Sequence, residues 1–289
     1  MDSKKIIIEA GVSQKIIDDV QFLHKTIWGL DELEMTPSHI YIAARHCGGE
    51  ILCAYHEGKP VGFVFGFPGI DENGNSYFYS HNLGVVKEFR NQGIGFMLKT
   101  RLRHNLLEAG YKRVKWTYEP LDSKNAYSYI RKLGAISNTY FENYYGDMRD
   151  AINRELPSDR LIMDWRIASV HVQKVVNKEF PKLSLGDIEK DALLNSLKAG
   201  GASSPEPLDR DIDIAALLKR GRQRFYLEIP ANYHEIKKAS FDLALDWRLH
   251  VREMMKRCFE QDLYITNVIF EKQRFLYVLE PINQLTMMG

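Results

Sequence analysis

The 289-residue sequence predicts an α/β (α+β) protein, with a mixed, mainly antiparallel sheet flanked by helices and a smaller β-α-β-β unit after it. Three observations carry this reading. Between Ile51 and Val86, β-rich segments alternate with tight-turn signals, the mark of an antiparallel meander. Helical stripes of 3.6-residue period stand on both sides of that meander, without the regular strand-helix alternation of a doubly wound sheet. A stretch rich in Gly, Ser and Pro, Lys198–Pro207, then interrupts the pattern and reads as a linker.

The elements follow in order. Ile6–Ile8 is a short strand, and Ser13 caps a helix whose apolar positions are Ile16, Ile17, Val20 and Leu23. A second helix runs from Pro37 to His46 and stops at Gly48-Gly49. Strands follow at Ile51–Tyr55, Val61–Phe67 and Ser76–Val86, joined by turns at His56-Glu57-Gly58-Lys59 and Asp71-Glu72-Asn73-Gly74-Asn75. Gly93–Ala109 is a helix with Leu98, Leu102 and Leu106 on one face, stopped by Gly110. A strand at Arg113–Tyr118, a helix at Ser123–Leu133 closed by Gly134, and strands at Ser137–Tyr145 and Arg160–Trp165 complete the first part. Beyond the linker come a strand at Arg224–Ile229, a long helix at Ser240–Gln261 and a closing hairpin, Ile265–Phe270 and Phe275–Leu279. The expected organisation is a domain at 1–167, a connecting segment at 168–212 and a small α+β domain at 213–289, too short to bury much core unless it packs on the first.

With 39 Lys+Arg against 38 Asp+Glu the formal charge is +1, which argues against a nucleic-acid binder. The longest apolar run, Val61–Ile70, is broken by Gly and Pro and falls short of the roughly 20 residues a membrane span requires. Three isoleucines before Glu9 do not make a secretory apolar segment, and three cysteines lack metal-ligand spacing. A reduced, cytoplasmic protein is expected, with no nucleic-acid, membrane or metal partner; a homodimer stays open.

The segment that carries chemistry is Val85-Val86-Lys87-Glu88-Phe89-Arg90-Asn91-Gln92-Gly93-Ile94-Gly95. A strand ends, a glycine-containing turn follows, and a helix begins inside the turn. Unpaired N–H groups at a helix start, with the positive end of its dipole, attract an anion, and Gly93 and Gly95 let the backbone approach it. Arg90 and Gln92 add donors at the rim, so a pyrophosphate suits the site. No third Gly stands three residues after Gly95 and no Gly-Lys-Ser/Thr follows, which excludes the dinucleotide fingerprint and the P-loop. Lys87, Arg90, Lys99, Arg101 and Arg103 form an expected basic cluster around it.

Arg90, Gln92, Gly93 and Gly95 resemble the Arg/Gln-x-x-Gly-x-Gly/Ala hallmark of the GNAT superfamily of acyl-CoA-dependent N-acyltransferases, and Val85 matches the apolar residue five positions before the Arg. The helix Asn125–Leu133 with Gly134 is similar to the second GNAT signature. The stretch Trp116–Trp165, with Ala244, Trp247, Arg248 and Arg252, resembles a largely uncharacterised bacterial branch of predicted acetyltransferases. The resemblance implies a GNAT-like fold that takes acetyl-CoA or another acyl-CoA as co-substrate, without metal. Leu83, Val85, Arg90, Asn91, Gln92, Gly93, Ile94, Gly95 and Asn125 would hold it, a backbone N–H at Leu83 or Val85 polarising the thioester carbonyl. Many members use a Tyr four residues before the helix-terminal Gly to protonate the thiolate; here that position is Ile130, which has no proton to donate.

Acyl transfer to an amine also needs a base. Glu119, at the end of the Arg113–Tyr118 strand, and His81, on the preceding strand, are the candidates, against readings as a solvated strand-end carboxylate and a core histidine. Tyr145 is the candidate acid, against aromatic packing. Trp28 would wall the acceptor pocket. Arg248 and Arg252, spaced i and i+4, would clamp an acceptor carboxylate, against the blander reading as internal salt bridges. The acceptor expected is a small-molecule amine such as an amino acid, since near-neutral charge does not favour polybasic protein tails. The alternative is a non-catalytic CoA-binding or regulatory module.

Overall fold

The computed structural model describes residues 5–29, 35–146, 156–198 and 205–282. They form two compact units: Met1–Trp116 with Arg166–Ala168, and Thr117–Trp165 with Ser169–Gly289.

In the first unit, β1 (Ile6–Ala10) leads into α1 (Gln14–Trp28), whose N-terminal N–H of Ile16 is capped by the Ser13 hydroxyl. Ile16, Ile17, Val20 and Leu23 are buried, as their period requires. They pack with Tyr41 of α2 (Ser38–His46) and with Ile51, Cys53, Phe63 and Phe65 of β2 (Glu50–His56) and β3 (Lys59–Ile70). Each fully buried aliphatic chain of this kind contributes about 1.5–3 kcal/mol. β4 (Ser76–Val85), α3 (Ile94–Glu108) and the first three residues of β5 (Val114–Tyr118) complete the unit. The sheet order is β1-β2-β3-β4-β5; β1 to β4 are antiparallel neighbours, and β5 is parallel to β4. α3 buries Leu98, Leu102 and Leu106, the stripe read from the sequence.

In the second unit, α4 (Ser123–Ala126) starts from an Asp122 cap and passes into a π-helical turn, Tyr127–Lys132. The expected single α-helix over Ser123–Leu133 is therefore split in two, with Ile130 fully packed. β6 (Ile136–Phe141) and β7 (Arg160–Trp165) follow. The strand expected to reach Tyr145 ends at Phe141, because Asn143 adopts a left-handed φ of +45° and turns the chain. The stretch read as connection has structure of its own: α5 (Val170–Val176), capped by Ser169, and a hairpin of β8 (Asn195–Lys198) and β9 (Glu206–Asp209). Residues 199–204 of the expected linker lie outside the described residues.

α6 (Ile214–Lys219), β10 (Phe225–Ile229), α7 (Tyr233–Ala239), α8 (Phe241–Phe259), β11 (Leu263–Glu271) and β12 (Arg274–Pro281) come next. Here the sheet order is β7-β6-β11-β12-β10, all antiparallel. Ser240 caps α8; of the face Leu243, Trp247, Val251, Met255 and Cys258 that its spacing predicts, Leu243 is half-buried and the other four are buried. All three cysteines are free thiols. Among the described residues, no helix is long and apolar enough to cross a membrane.

Candidate functional site

The segment between β4 and α3 has the geometry of an anion cradle. Lys87–Phe89 forms one 3-10 turn, Asn91 takes a left-handed φ of +61°, and Gly93 takes φ +84° as the N-cap of α3. No side chain caps α3, so the first-turn N–H groups of Ile94, Gly95 and Phe96 have no intrahelical partner. A Cβ on Gly93 would meet nothing within 4 Å, so the space before these N–H groups is open. At Gly95 a Cβ would come to 3.6 Å from Leu83 Cδ2, close to β4.

Two rim side chains do something other than expected. Arg90 Nε donates to the Val85 carbonyl at 3.0 Å, and Gln92 Nε2 donates to the Glu88 carbonyl at 2.9 Å. Both bonds brace the turn. That leaves anion contact to the backbone N–H groups and to the outer nitrogens of Arg90.

β4 itself is open on one edge. It pairs with β3 from Ser76 to Val85, yet with β5 only at Phe78↔Val114 and Tyr79↔Lys115. From Ser80 to Val85 the two parallel strands diverge. Phe65 pairs with Asn82 and Gly66 with Ser80, so His81 is the extra residue of a β-bulge. A bulge bends its strand and re-aims side chains, which here accompanies the loss of pairing. His81 lies against the rings of Phe65, Phe67 and Tyr79, with centroids 6.0, 5.8 and 6.3 Å away. His81 is exposed on its other side, and the desolvation of the ring face against these side chains lowers its pKa, which favours the neutral imidazole. Trp28, at the end of α1, stands edge-on to His24 and Phe63 and is 41% exposed. Gly84 makes that approach possible: a Cβ there would come within 2.8 Å of the Trp28 ring. Trp28, His81, Leu83, Val85 and the glycine turn thus share one unit, as a pocket wall, a base and a cofactor cradle require.

The expected basic cluster is not one. Lys87, Arg90 and Arg101 are exposed, whereas Arg103 gives its Nε to the Ile167 carbonyl at 2.8 Å. Lys99 is 2% exposed, with Nζ 2.8 Å from the Ser80 hydroxyl and 3.9 Å from the centre of the Trp116 ring. Sequence reading placed Lys99 in the basic cluster because a Lys beside an apolar helical stripe ordinarily extends its ammonium to water.

The second unit places the other candidates. Glu119 gives its two carboxylate oxygens to the two terminal nitrogens of Arg248, each at 2.5 Å. Its Oε1 also accepts the Leu121 N–H, and Arg160 stands 3.7 Å from Oε2. Arg252 makes a second fork, 2.9 Å to each oxygen of the fully buried Asp159, and bonds Glu142 at 3.0 Å. Burial would raise the Asp159 pKa, but Arg252, the Asn143 N–H and the Tyr140 hydroxyl outweigh it and hold the carboxyl below its ordinary value. Arg248, Arg252 and Lys256 recur every four residues on α8, so one helix face meets Glu119, Asp159 and Glu142 in turn. Glu119, expected as a free base, is therefore the half-buried partner of the buried Arg248, and neither Arg248 nor Arg252 presents an open fork to a substrate carboxylate. Tyr145 is half exposed, with its hydroxyl 2.9 Å from Thr117 Oγ1 and its ring 5.0 Å from the Arg160 guanidinium. Asn125 donates its N–H and its side-chain amide to Asp122, so it serves a helix start instead of a ligand. Among the described residues, no group of three or more His, Cys, Asp or Glu could hold a metal ion.

No curated protein sequence matches this chain. Several solved structures are similar to about half of it. They include Arabidopsis thaliana Naa50 in complex with the bisubstrate analogue CoA-Ac-MVNAL (19% identity, 55% of this chain and 97% of that one, TM-score 0.44). A GNAT family acetyltransferase from Elizabethkingia anophelis with acetyl-CoA bound covers 57% of this chain and 99% of its own at 20% identity and TM-score 0.44. The ribosomal-protein-S18-alanine N-acetyltransferase from Escherichia coli covers 56% and 94% at 15% identity and TM-score 0.44. Residues 17–135 match the model of the acetyltransferase (GNAT) family, a span that holds the bulged β4, the glycine turn and α3. Residues 17–135 thus form a GNAT acetyltransferase domain, a fold that transfers acyl groups from CoA.

Proposed function

We propose that this protein transfers an acetyl or another short acyl group from acyl-CoA to the amine of a small-molecule acceptor, with amino acids as the first class to test. The observation that carries the reading is the conjunction of the uncapped, glycine-started α3 with the unpaired edge of β4 directly before it. The N–H groups of α3 bind the pyrophosphate, and those of β4 at Leu83 or Val85 polarise the thioester carbonyl, stabilising the oxyanion that forms when the amine attacks. Neutral His81, on the same strand, takes the proton from the attacking ammonium or from a water beside it. Trp28 walls the acceptor side. Glu119, Arg248 and Arg252 hold the second unit together, and the acceptor is recognised without them.

Two measurements test this. Calorimetric titration with acetyl-CoA is expected to show binding in the micromolar range; no binding overturns the reading. A thiol-release screen crossing acetyl-, propionyl- and succinyl-CoA with amines and amino acids is expected to give turnover with at least one pair. The second reading, a CoA-binding module without catalysis, is favoured by the apolar, fully packed Ile130 where many relatives carry an acidic hydroxyl. CoA binding with no thiol release across the whole panel would select it.

A further inference from the structure

An acyl transfer from a thioester releases a thiolate, and Ile130 has no proton for it. The first unit holds a group with one. Lys99 lies on α3, six residues after the Gly93 cap, about 9 Å along the helix axis from the anion site. Its amine is directed to Ser80, the first β4 residue beyond the last β4–β5 pair and the neighbour of the His81 bulge. Trp116, over which Nζ sits, is the first β5 residue beyond that same pair. Lys99 Nζ is thus at the apex where the two strands part. Ser80 and Trp116 are themselves buried, at 3% each.

A buried lysine normally has a carboxylate beside it. Lys99 has none among the described residues: Ser80 from β4 and Trp116 from β5 are its partners, and the nearest cation along its own face of α3, Arg103, is turned to the Ile167 carbonyl. Such a group is costly to retain unless an anion forms next to it.

We propose that Lys99, acting through the Ser80 hydroxyl, supplies the proton taken up by the departing CoA thiolate. This rests on the acyl-CoA reading above. As the acceptor nitrogen bonds to the acyl carbon, the C–S bond breaks and its electron pair leaves on sulfur. Sulfur takes the Ser80 hydroxyl proton, Ser80 takes one from the Lys99 ammonium, and the proton lost by the acceptor nitrogen returns to Lys99 through solvent. The net change is acyl-CoA plus amine to amide plus CoA thiol. Desolvation lowers the Lys99 pKa to about 7, close to the working range of a proton donor at neutral pH. In this relay Ser80 faces the sulfur and Lys99 is the positioning residue behind it.

The test needs no acceptor. CoA alone is bound to the protein, and the thiolate's ultraviolet absorbance is followed against pH in the wild type, Lys99→Met and Ser80→Ala. The wild type is expected to ionise bound CoA at least tenfold more readily than either variant, while calorimetry at a pH low enough to keep the thiol protonated in all three gives the same CoA affinity. Lys99→Arg should recover part of the shift, which a merely space-filling role would not predict. Identical thiol titrations in the wild type and Ser80→Ala, a substitution that leaves Lys99 in place, overturn the proposal even if Lys99→Met does not fold. Mass spectrometry showing Lys99 stably acylated by acetyl-CoA also overturns it, because a secondary-amide N–H is too weak an acid to protonate a thiolate. CoA that does not bind the wild type sinks the acyl-CoA reading itself, which is a separate outcome.

Discussion

The glycine turn between β4 and α3 and the ion-pair ladder on α8 are both built from polar groups, and they use them in opposite ways. In the turn, the donors are left open: α3 has no cap, the Gly93 side is vacant, and β4 loses its partner after Tyr79. In the ladder, the charges are consumed, since Arg248 forks onto Glu119, Arg252 forks onto Asp159, and Lys256 meets Glu142. Open donors at a helix start attract a ligand, because a bound anion satisfies them at little reorganisation cost. Forked pairs whose carboxylate and terminal guanidinium atoms already bond one another offer no fork to a substrate, and removing one partner strands the other. Charge density alone therefore does not locate a binding site; unsatisfied bonding capacity does.

Substitutions sharpen this contrast, and the largest effect belongs to the ladder. Glu119→Gln strands the Arg248 guanidinium, which is 2% exposed, and should lower unfolding stability by about 3–5 kcal/mol in urea titrations. The double variant Glu119→Leu/Arg248→Met should lose clearly less than the two single variants added together. A Glu119→Gln protein of normal stability whose turnover collapses would reverse the assignment and make Glu119 catalytic.

Gly93→Glu acts on the turn. Its φ of +84° disfavours any side chain, and the carboxylate would stand where the anion is to bind. CoA affinity should fall by more than about 100-fold, roughly 2.7 kcal/mol, with a modest change in melting temperature. Unchanged affinity would remove the turn from the binding site.

Arg252→Met should cost about 2 kcal/mol, since Asp159 keeps its Tyr140 and Asn143 donors. The pH dependence has a defined sign. The folded Asp159 pKa is below the ordinary 3.8, so its stabilisation is complete above that value and is lost as pH falls through the folded pKa. Denaturation followed from pH 5 down to pH 2 should show the wild type losing this increment and Arg252→Met losing less of it. Parallel curves would mean that Arg252 does not set the Asp159 charge.

The smallest effect is at Gly84. An alanine Cβ would press on Ile27 and Trp28 at 2.7 and 2.8 Å, an overpacking worth about 1 kcal/mol that calorimetric melting can resolve. CoA affinity should not change, and the apparent affinity for the amine acceptor should weaken as Trp28 is displaced.

Much of the fold was legible in the residues. The α1 stripe, the Ser13 cap, the meander turns and the Leu98-Leu102-Leu106 face all follow from interactions within a few residues of one another. The turn after β4 was legible for the same reason, because Gly93 and Gly95 act on their own backbone. The π-helical turn at Tyr127–Lys132 and the short elements between Trp165 and Arg224 were not, since their spacing carries no clear period.

The sequence by itself therefore determined a GNAT domain over residues 17–135, the order of most elements and a helix start able to hold an anion. Only the tertiary structure decided which polar side chains remain available. Glu119 and Arg248 are 129 residues apart, Asp159 and Arg252 are 93 apart, and Ser80 and Lys99 are 19 apart on different elements. A local pattern encodes geometry along one strand or one helix turn. Whether a charge is free, paired or buried depends on what the rest of the chain brings beside it.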